Sequence, residues 1–241
     1  MKYRGAGKPK GNKKSEIVHY IFKNENASKT ELTKTLGLSM PTVLQNTKEL
    51  IEQGILIEIG EYESTGGRRA KSLAINGRMG YSLGLDITTA HISYVLVDLA
   101  GTVLKRGRTK RTFENSNEYY QALFDDVDRF LETSRVDREM ILGIGVALPG
   151  NINAEEKILI KSHALKLEGI NLKTIEGFVP YPVYFENDAN AAMIAERENI
   201  GEDAIYLFLS NTVGSALKAE GSVHRGKNRK AGEKNGQFLG L

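Results

Sequence analysis

The chain of 241 residues contains no cysteine. That excludes disulfides and any thiolate metal site. It also lacks a run of about eighteen apolar residues, the length a membrane-crossing helix requires, so no membrane partner is expected. The N-terminal stretch MKYRGAGKPKGNKK is basic but has no apolar core behind it, which argues against a signal peptide and leaves the cytoplasm as the expected location. The four histidines, His19, His91, His163 and His224, are scattered and fit no ligand spacing, so neither a metal nor a cofactor is expected. What is present is ordinary for a soluble globular protein: 40% hydrophobic and 26% charged residues. The length suits one large domain or two smaller ones.

Charge is unevenly placed. Residues 1–80 hold 14 Lys and Arg against 8 Asp and Glu, and the remainder holds 19 against 22. A basic front and a mildly acidic back suggest two modules, the first facing a polyanion; a solvated face with a flexible tail would give the same balance.

Residues 1–14 read as a flexible basic arm. A first helix is expected from a Ser15 cap, with Ile17, Val18, Ile21 and Phe22 on one face. In SKTELTKTLG, Ser28 and Glu31 have the spacing of a capping box and Gly37 can end the helix. A third helix follows in SMPTVLQNTKELIEQG, capped by Ser39, with Pro41 in its first turn and Gly54 closing it. Its inward stripe is expected to be Val43, Leu44, Thr47, Leu50 and Ile51, leaving Thr42, Gln45, Asn46 and Lys48 outward. The next segment reads as two strands around a loop with paired glycines, Gly66 and Gly67, followed by Arg68, Arg69 and Lys71. Three helices and a β-hairpin make a winged helix-turn-helix over residues 15–80. In it, Ser39, Thr42, Gln45, Asn46, Lys48, Arg68, Arg69 and Lys71 are the candidate contacts to double-stranded DNA. Cations supply salt-dependent affinity for phosphates, and amides and hydroxyls have the donors and acceptors that base edges require.

Residues 81–241 alternate strands and helices. YSLGLDITTAHISYVLVDLAGTVLKRGRTKR reads as three strands with turns near Thr88–Thr89 and Ala100–Gly101. Tyr120, Leu123, Phe124, Val127 and Leu131 lie at helical spacing. MILGIGVALPGNIN is a buried strand ending in a Pro-Gly turn. YPVYFENDANAAMIAERENIG is a strand, a loop and a helix, and AIYLFLSNTVGSALKAEGSVHRG a hairpin. The class is α/β with a mixed sheet.

Four segments in order, TGGRRAKSLAIN, GIGVALPGNIN, FENDANAAMIAE and VHRGKNRKAGE, resemble the ROK family, and the resemblance covers nearly the whole chain. That family contains sugar-sensing repressors and sugar kinases on the actin-like, hexokinase-like ATPase fold. The winged helix in front resembles its repressor branch, of the xylose-repressor kind. The resemblance implies sugar contacts at Pro149 and Gly150, at Asn187 and Asp188, and at Glu233. Asp188 matches the carboxylate that acts as base in the kinases. A helix cap at Asn187 or Asp188 is the plainer reading of the same residues, and the two are compatible.

The departures bear on activity. The first phosphate turn of the kinases is D-x-G-G-T; here Asp86 is followed by Ile87, Thr88, Thr89 and Ala90. The second resembles GTGIGGG; here it is SNTVGSA, in which Gly214 alone is kept. Glycines let successive backbone N–H groups wrap an anion, and β-branched threonines disfavour the positive φ this needs. The family's zinc histidine and cysteines have no counterpart in GEKNGQF. Residues 81–241 correspond to roughly half of one family domain; a fragment, an early stop and a natural short form all fit. The leading expectation is a homodimeric DNA-binding regulator of carbohydrate genes, tuned by a small sugar and not an enzyme. A sugar kinase with a DNA-binding appendage, and a truncated product that only binds DNA, are the alternatives.

Overall fold

The computed structural model describes residues 12–61, 71–196, 199–209 and 213–226. These divide into two compact units. The first takes in the described residues up to Gly80 together with Asp98–Thr102, and the second Tyr81–Val97 and the residues from Val103 on.

In the first unit, α1 (Lys13–Asn24), β1 (Asn26–Ser28), α2 (Lys29–Leu36), α3 (Met40–Glu52), β2 (Leu56–Glu61) and β3 (Lys71–Ile75) follow in chain order. The helix expected from Ser15 starts earlier. The Asn12 side chain accepts from the Lys14 N–H, so Lys13 and Lys14, read as part of the arm, are helical. The capping box of α2 is present in both directions: Ser28 Oγ accepts from the Glu31 N–H at 3.1 Å, and Glu31 accepts from the Ser28 N–H at 3.4 Å. Gly37 ends that helix in the left-handed conformation, at φ +64°. The three strands form one antiparallel sheet in the order β1-β3-β2. Ile17, Ile21, Leu32, Val43, Leu50, Leu56 and Leu73 make the core, with Leu99 and Ala100 packed at its edge. The hairpin tip expected as the wing, with Gly66, Gly67, Arg68 and Arg69, lies outside the described residues.

The second unit is built on a five-stranded sheet. Its strands are β4 (Tyr81–Ile87), β5 (His91–Asp98), β6 (Val103–Lys110), β7 (Ile141–Leu148) and β11 (Val183–Asn187), in the spatial order β11-β7-β4-β5-β6. β7 pairs in parallel with β4 and β11, whereas β5 and β6 are antiparallel, so the sheet is mixed. α4 (Asn117–Glu132) covers one face with Tyr120, Leu123, Phe124, Val127 and Leu131, all buried. Its Asp126 is buried and paired with Arg111 at 2.6 Å and with Arg129.

A three-stranded antiparallel sheet of β8 (Asn151–Asn153), β9 (Ile158–Ser162) and β10 (Leu167–Asn171) follows the Pro-Gly turn, then the short α5 (Lys173–Glu176). β8 is the end of the segment GIGVALPGNIN, whereas β9, β10 and α5 lie between the motif segments. Beyond β11, α6 (Asp188–Ala195) begins at once, without the loop that the sequence suggested. α6 packs through Ala189 and Met193 on Ala216, in a third sheet of β12 (Ala204–Leu209), β13 (Val213–Ala219) and β14 (Ser222–Val223).

Candidate functional site

α3 is fixed at its start by its own sequence. Ser39 Oγ accepts from the Thr42 N–H at 3.4 Å and shares a hydrogen bond of 2.8 Å with Thr42 Oγ1, so both hydroxyls are engaged at the cap. Asn46 donates one amide hydrogen to the Thr42 carbonyl at 2.7 Å, leaving its other hydrogen and its oxygen. Gln45 donates to Glu49 at 3.2 Å, and Lys48 lies 3.7 Å from Glu52. Glu49 also meets Lys14 of α1 at 2.6 Å, and that hydrogen bond holds its carboxyl below the ordinary range.

Val43, Thr47 and Leu50 face the core as expected, but Leu44 does not: it is 47% exposed. Val43 already takes the core position, and the next residue is rotated from it by about 100°, just over a quarter of a turn. The exposed residues of α3 are Met40, Pro41, Leu44, Gln45, Lys48 and Glu52, while Thr42 and Asn46, expected outward, are half-buried. Lys71 stands at the start of β3 and meets Glu58 at 2.8 Å, while Lys29 meets the same carboxylate at 3.2 Å. The two lysines hold the Glu58 carboxyl below its usual range, Lys71 having the larger effect.

In the second unit the residues implied as sugar contacts converge in part. Asn187 caps α6, its side-chain oxygen accepting from the Asn190 N–H at 3.0 Å. Its amide nitrogen donates to the Gly150 carbonyl at 3.0 Å and to Asp188 Oδ1 at 3.0 Å. Asp188 Oδ1 also accepts from the Ala189 N–H at 2.8 Å. The end of β7, through Pro149 and Gly150, is thus tied to the start of α6. Glu233 lies outside the described residues.

Two partners went unnoticed in the sequence. Glu186 accepts from the Asn187 N–H at 3.0 Å and from Asn190 Nδ2 at 3.2 Å, and it forms an ion pair with Arg225. Gly150 has φ +130°, and a Cβ there would lie 2.6 Å from the Lys161 carbonyl oxygen and 2.9 Å from Ser162 Cα. Its need for glycine is set by the close approach of β9.

The turn after β4 explains the missing glycines chemically. Thr88 Oγ1 accepts from the His91 N–H at 3.0 Å and from the Ala90 N–H at 3.4 Å, and it donates to the His91 carbonyl at 3.0 Å. The backbone donors that a phosphate would use are already bound to the protein's own hydroxyl. No residue from Asp86 to His91 has a positive φ. Asp86 is solvent-accessible, yet partial burial raises its carboxyl above the usual range, with Arg108 acting the other way. Of the second phosphate segment, residues 210–212 lie outside the described residues. Gly214 lies in β13 opposite Phe208.

A model of the ROK family matches residues 82–235, the greater part of the chain. The chain belongs to the ROK family. A model for winged helix-turn-helix DNA-binding domains matches residues 12–57 in front of it. The xylose repressor of Bacillus subtilis (strain 168) is 30% identical over 223 residues, which cover 90% of this chain and 58% of the repressor. The DNA-binding transcriptional dual regulator NagC of Escherichia coli (strain K12) is 25% identical, over 86% of this chain and 52% of its own length.

Among solved structures, a ROK family transcriptional regulator, described as a homolog of the E. coli MLC protein, superposes with a TM-score of 0.67 at 21% identity. It covers 90% of this chain and 57% of its own. A ROK family glucokinase from Streptomyces griseus, in complex with glucose and AMPPNP, reaches 0.55 at 24% identity, covering 64% of this chain and 49% of its own. These ROK structures establish the fold. The chain spans less than two thirds of the length of each relative named here.

Proposed function

We propose that the chain is a DNA-binding transcriptional regulator, a repressor of carbohydrate-utilisation genes, whose affinity for its operator is set by a small sugar. The observation that carries this reading is the pairing of α3, a capped helix with exposed Leu44, Gln45 and Lys48, with a phosphate turn whose N–H groups are taken by Thr88. The first feature suits the major groove, and the second removes what an ATP-using relative needs. Named regulators also match both units of the chain, whereas the glucokinase covers 64% of it. Kinase activity is therefore the weaker reading. Xylose is the first sugar to try, because several matched relatives are named xylose repressors.

In this reading Thr42, Gln45, Asn46 and Lys48 face DNA with Arg68, Arg69 and Lys71, while Ser39 acts as the cap that orients them. Pro149, Gly150, Asn187 and Asp188, with Glu233, hold the sugar. Asp188 binds a hydroxyl and does not serve as a catalytic base. Two copies would present two α3 helices to two half-sites about 34 Å apart. Sugar binding that favours a mismatched spacing lowers DNA affinity by linkage, and a coupling of about 1–3 kcal/mol changes affinity about 5- to 150-fold. Fluorescence anisotropy with labelled DNA, with and without sugar, tests the proposal. Sugar-dependent release is expected, and affinity unmoved by any sugar in a verified dimer would end the sensing part.

A further inference from the structure

Leu44 is an exposed residue of α3, one helical turn after Met40. Pro41, Gln45 and Lys48 beside it are exposed, and Val43, Thr47 and Leu50 supply the core. Leu44 is exposed although it borders the stripe that supplies the core. It is a branched apolar side chain, 47% exposed, set among polar ones on the helix that the DNA-binding reading inserts into the major groove. It is also the fifth residue of α3, in the N-terminal half through which a recognition helix meets base edges.

The major groove offers one apolar feature among its donors and acceptors, the C5-methyl group of thymine. A leucine beside Gln45 and Lys48 matches that pattern. A protein-docking face would need a contiguous apolar patch of several hundred Å². On α3 the other large exposed apolar residue is Met40, 37% exposed, whose sulfur accepts a long hydrogen bond of 3.9 Å from Thr33 of α2. The excess of cations in residues 1–80 favours a polyanion over an apolar protein surface.

We propose that Leu44 is a specificity-determining residue that reads a thymine through its C5-methyl group in each operator half-site. This rests on the DNA-binding reading above. Gln45 and Lys48 then supply polar contacts beside it, and Leu44 favours thymine over cytosine, which presents a donor in place of the O4 acceptor and has no methyl group. Burying one methyl group is worth about fourfold in affinity.

The test uses the full chain and a duplex recovered from random DNA by selection on it. Each thymine is replaced in turn by deoxyuridine, which removes the methyl group and keeps the pairing. The wild type is expected to lose about fourfold at one position per half-site. Leu44→Ala is expected to bind the thymine duplex about three- to tenfold more weakly, and to be indifferent to deoxyuridine at that position alone. Because Leu44 is exposed, the variant should keep the wild-type thermal midpoint, which is measured alongside. An unchanged deoxyuridine penalty in Leu44→Ala overturns the proposal, as does a variant that alters sedimentation and leaves that penalty in place. If no duplex is selected, or binding lacks salt dependence, the DNA-binding reading fails instead.

Discussion

Replacing Gly150 by alanine should damage the second unit and the sugar site proposed for it together. The residue has φ +130°, which side chains rarely adopt, and such strain costs about 1–3 kcal/mol. The new Cβ would also stand 2.6 Å from the Lys161 carbonyl oxygen and 2.9 Å from Ser162 Cα. Both obstacles are backbone of β9, so the overlap cannot be relieved by a side-chain rotation, and overpacking of this kind adds about 1–3 kcal/mol. Together the two effects amount to about 2–6 kcal/mol, or roughly 4–24 °C in thermal midpoint for a chain of this size. Any backbone shift also moves the Gly150 carbonyl, which accepts from Asn187 at 3.0 Å. The proposed sugar site would loosen even at temperatures where the protein stays folded. Urea unfolding followed by far-UV circular dichroism measures the first effect, and sugar titration of the folded variant the second. A Gly150→Ala protein within 0.5 kcal/mol of wild type, with sugar affinity unchanged, would refute both steps.

Three further outcomes are expected. Thr88→Val leaves the Ala90 and His91 N–H groups without their acceptor, so it should cost about 1–2 kcal/mol in urea unfolding; an unchanged midpoint would mean that water replaces the hydroxyl. Ser28→Ala removes one arm of the capping box and should cost about 1 kcal/mol, read as lower stability of α2 in native-state hydrogen exchange. Asp86→Asn should stabilise the protein at pH 7 and have little effect near pH 4. The folded carboxyl binds its proton more tightly than the unfolded one, so its contribution is fully present below the ordinary carboxylate pKa and is lost as pH rises through the raised value. Denaturant midpoints at the two pH values check this, and an equal offset at both would contradict it.

The legibility of the fold followed the range of the interactions. Helix ends were readable because the groups that make them are neighbours: Ser28 with Glu31, Ser39 with Thr42, and Gly37 at its left-handed position. Where two caps competed in one polar run, Asn12 prevailed over Ser15. Leu44 was misplaced because adjacent apolar residues on a helix offer two faces, and only packing decides between them. β8 to β10 lack a strong alternating pattern and form a sheet by pairing with one another. At the proposed sugar site, Asn187 and Asp188 were legible from the motif. The Glu186–Arg225 pair joins residues 39 positions apart, and no local signal announces it. The absent glycines after Asp86 were visible in the sequence. That Thr88 itself occupies the turn's N–H groups required the structure.

The most direct test of the central claim is equilibrium binding of the full chain to DNA from upstream of its own gene, titrated with salt and then with a panel of sugars headed by xylose. The account predicts a steep fall in affinity with salt, the mark of phosphate contacts, and release about 5- to 150-fold easier with one sugar than without. Binding that ignores salt, or a verified dimer that holds the DNA equally well with every sugar, would contradict it.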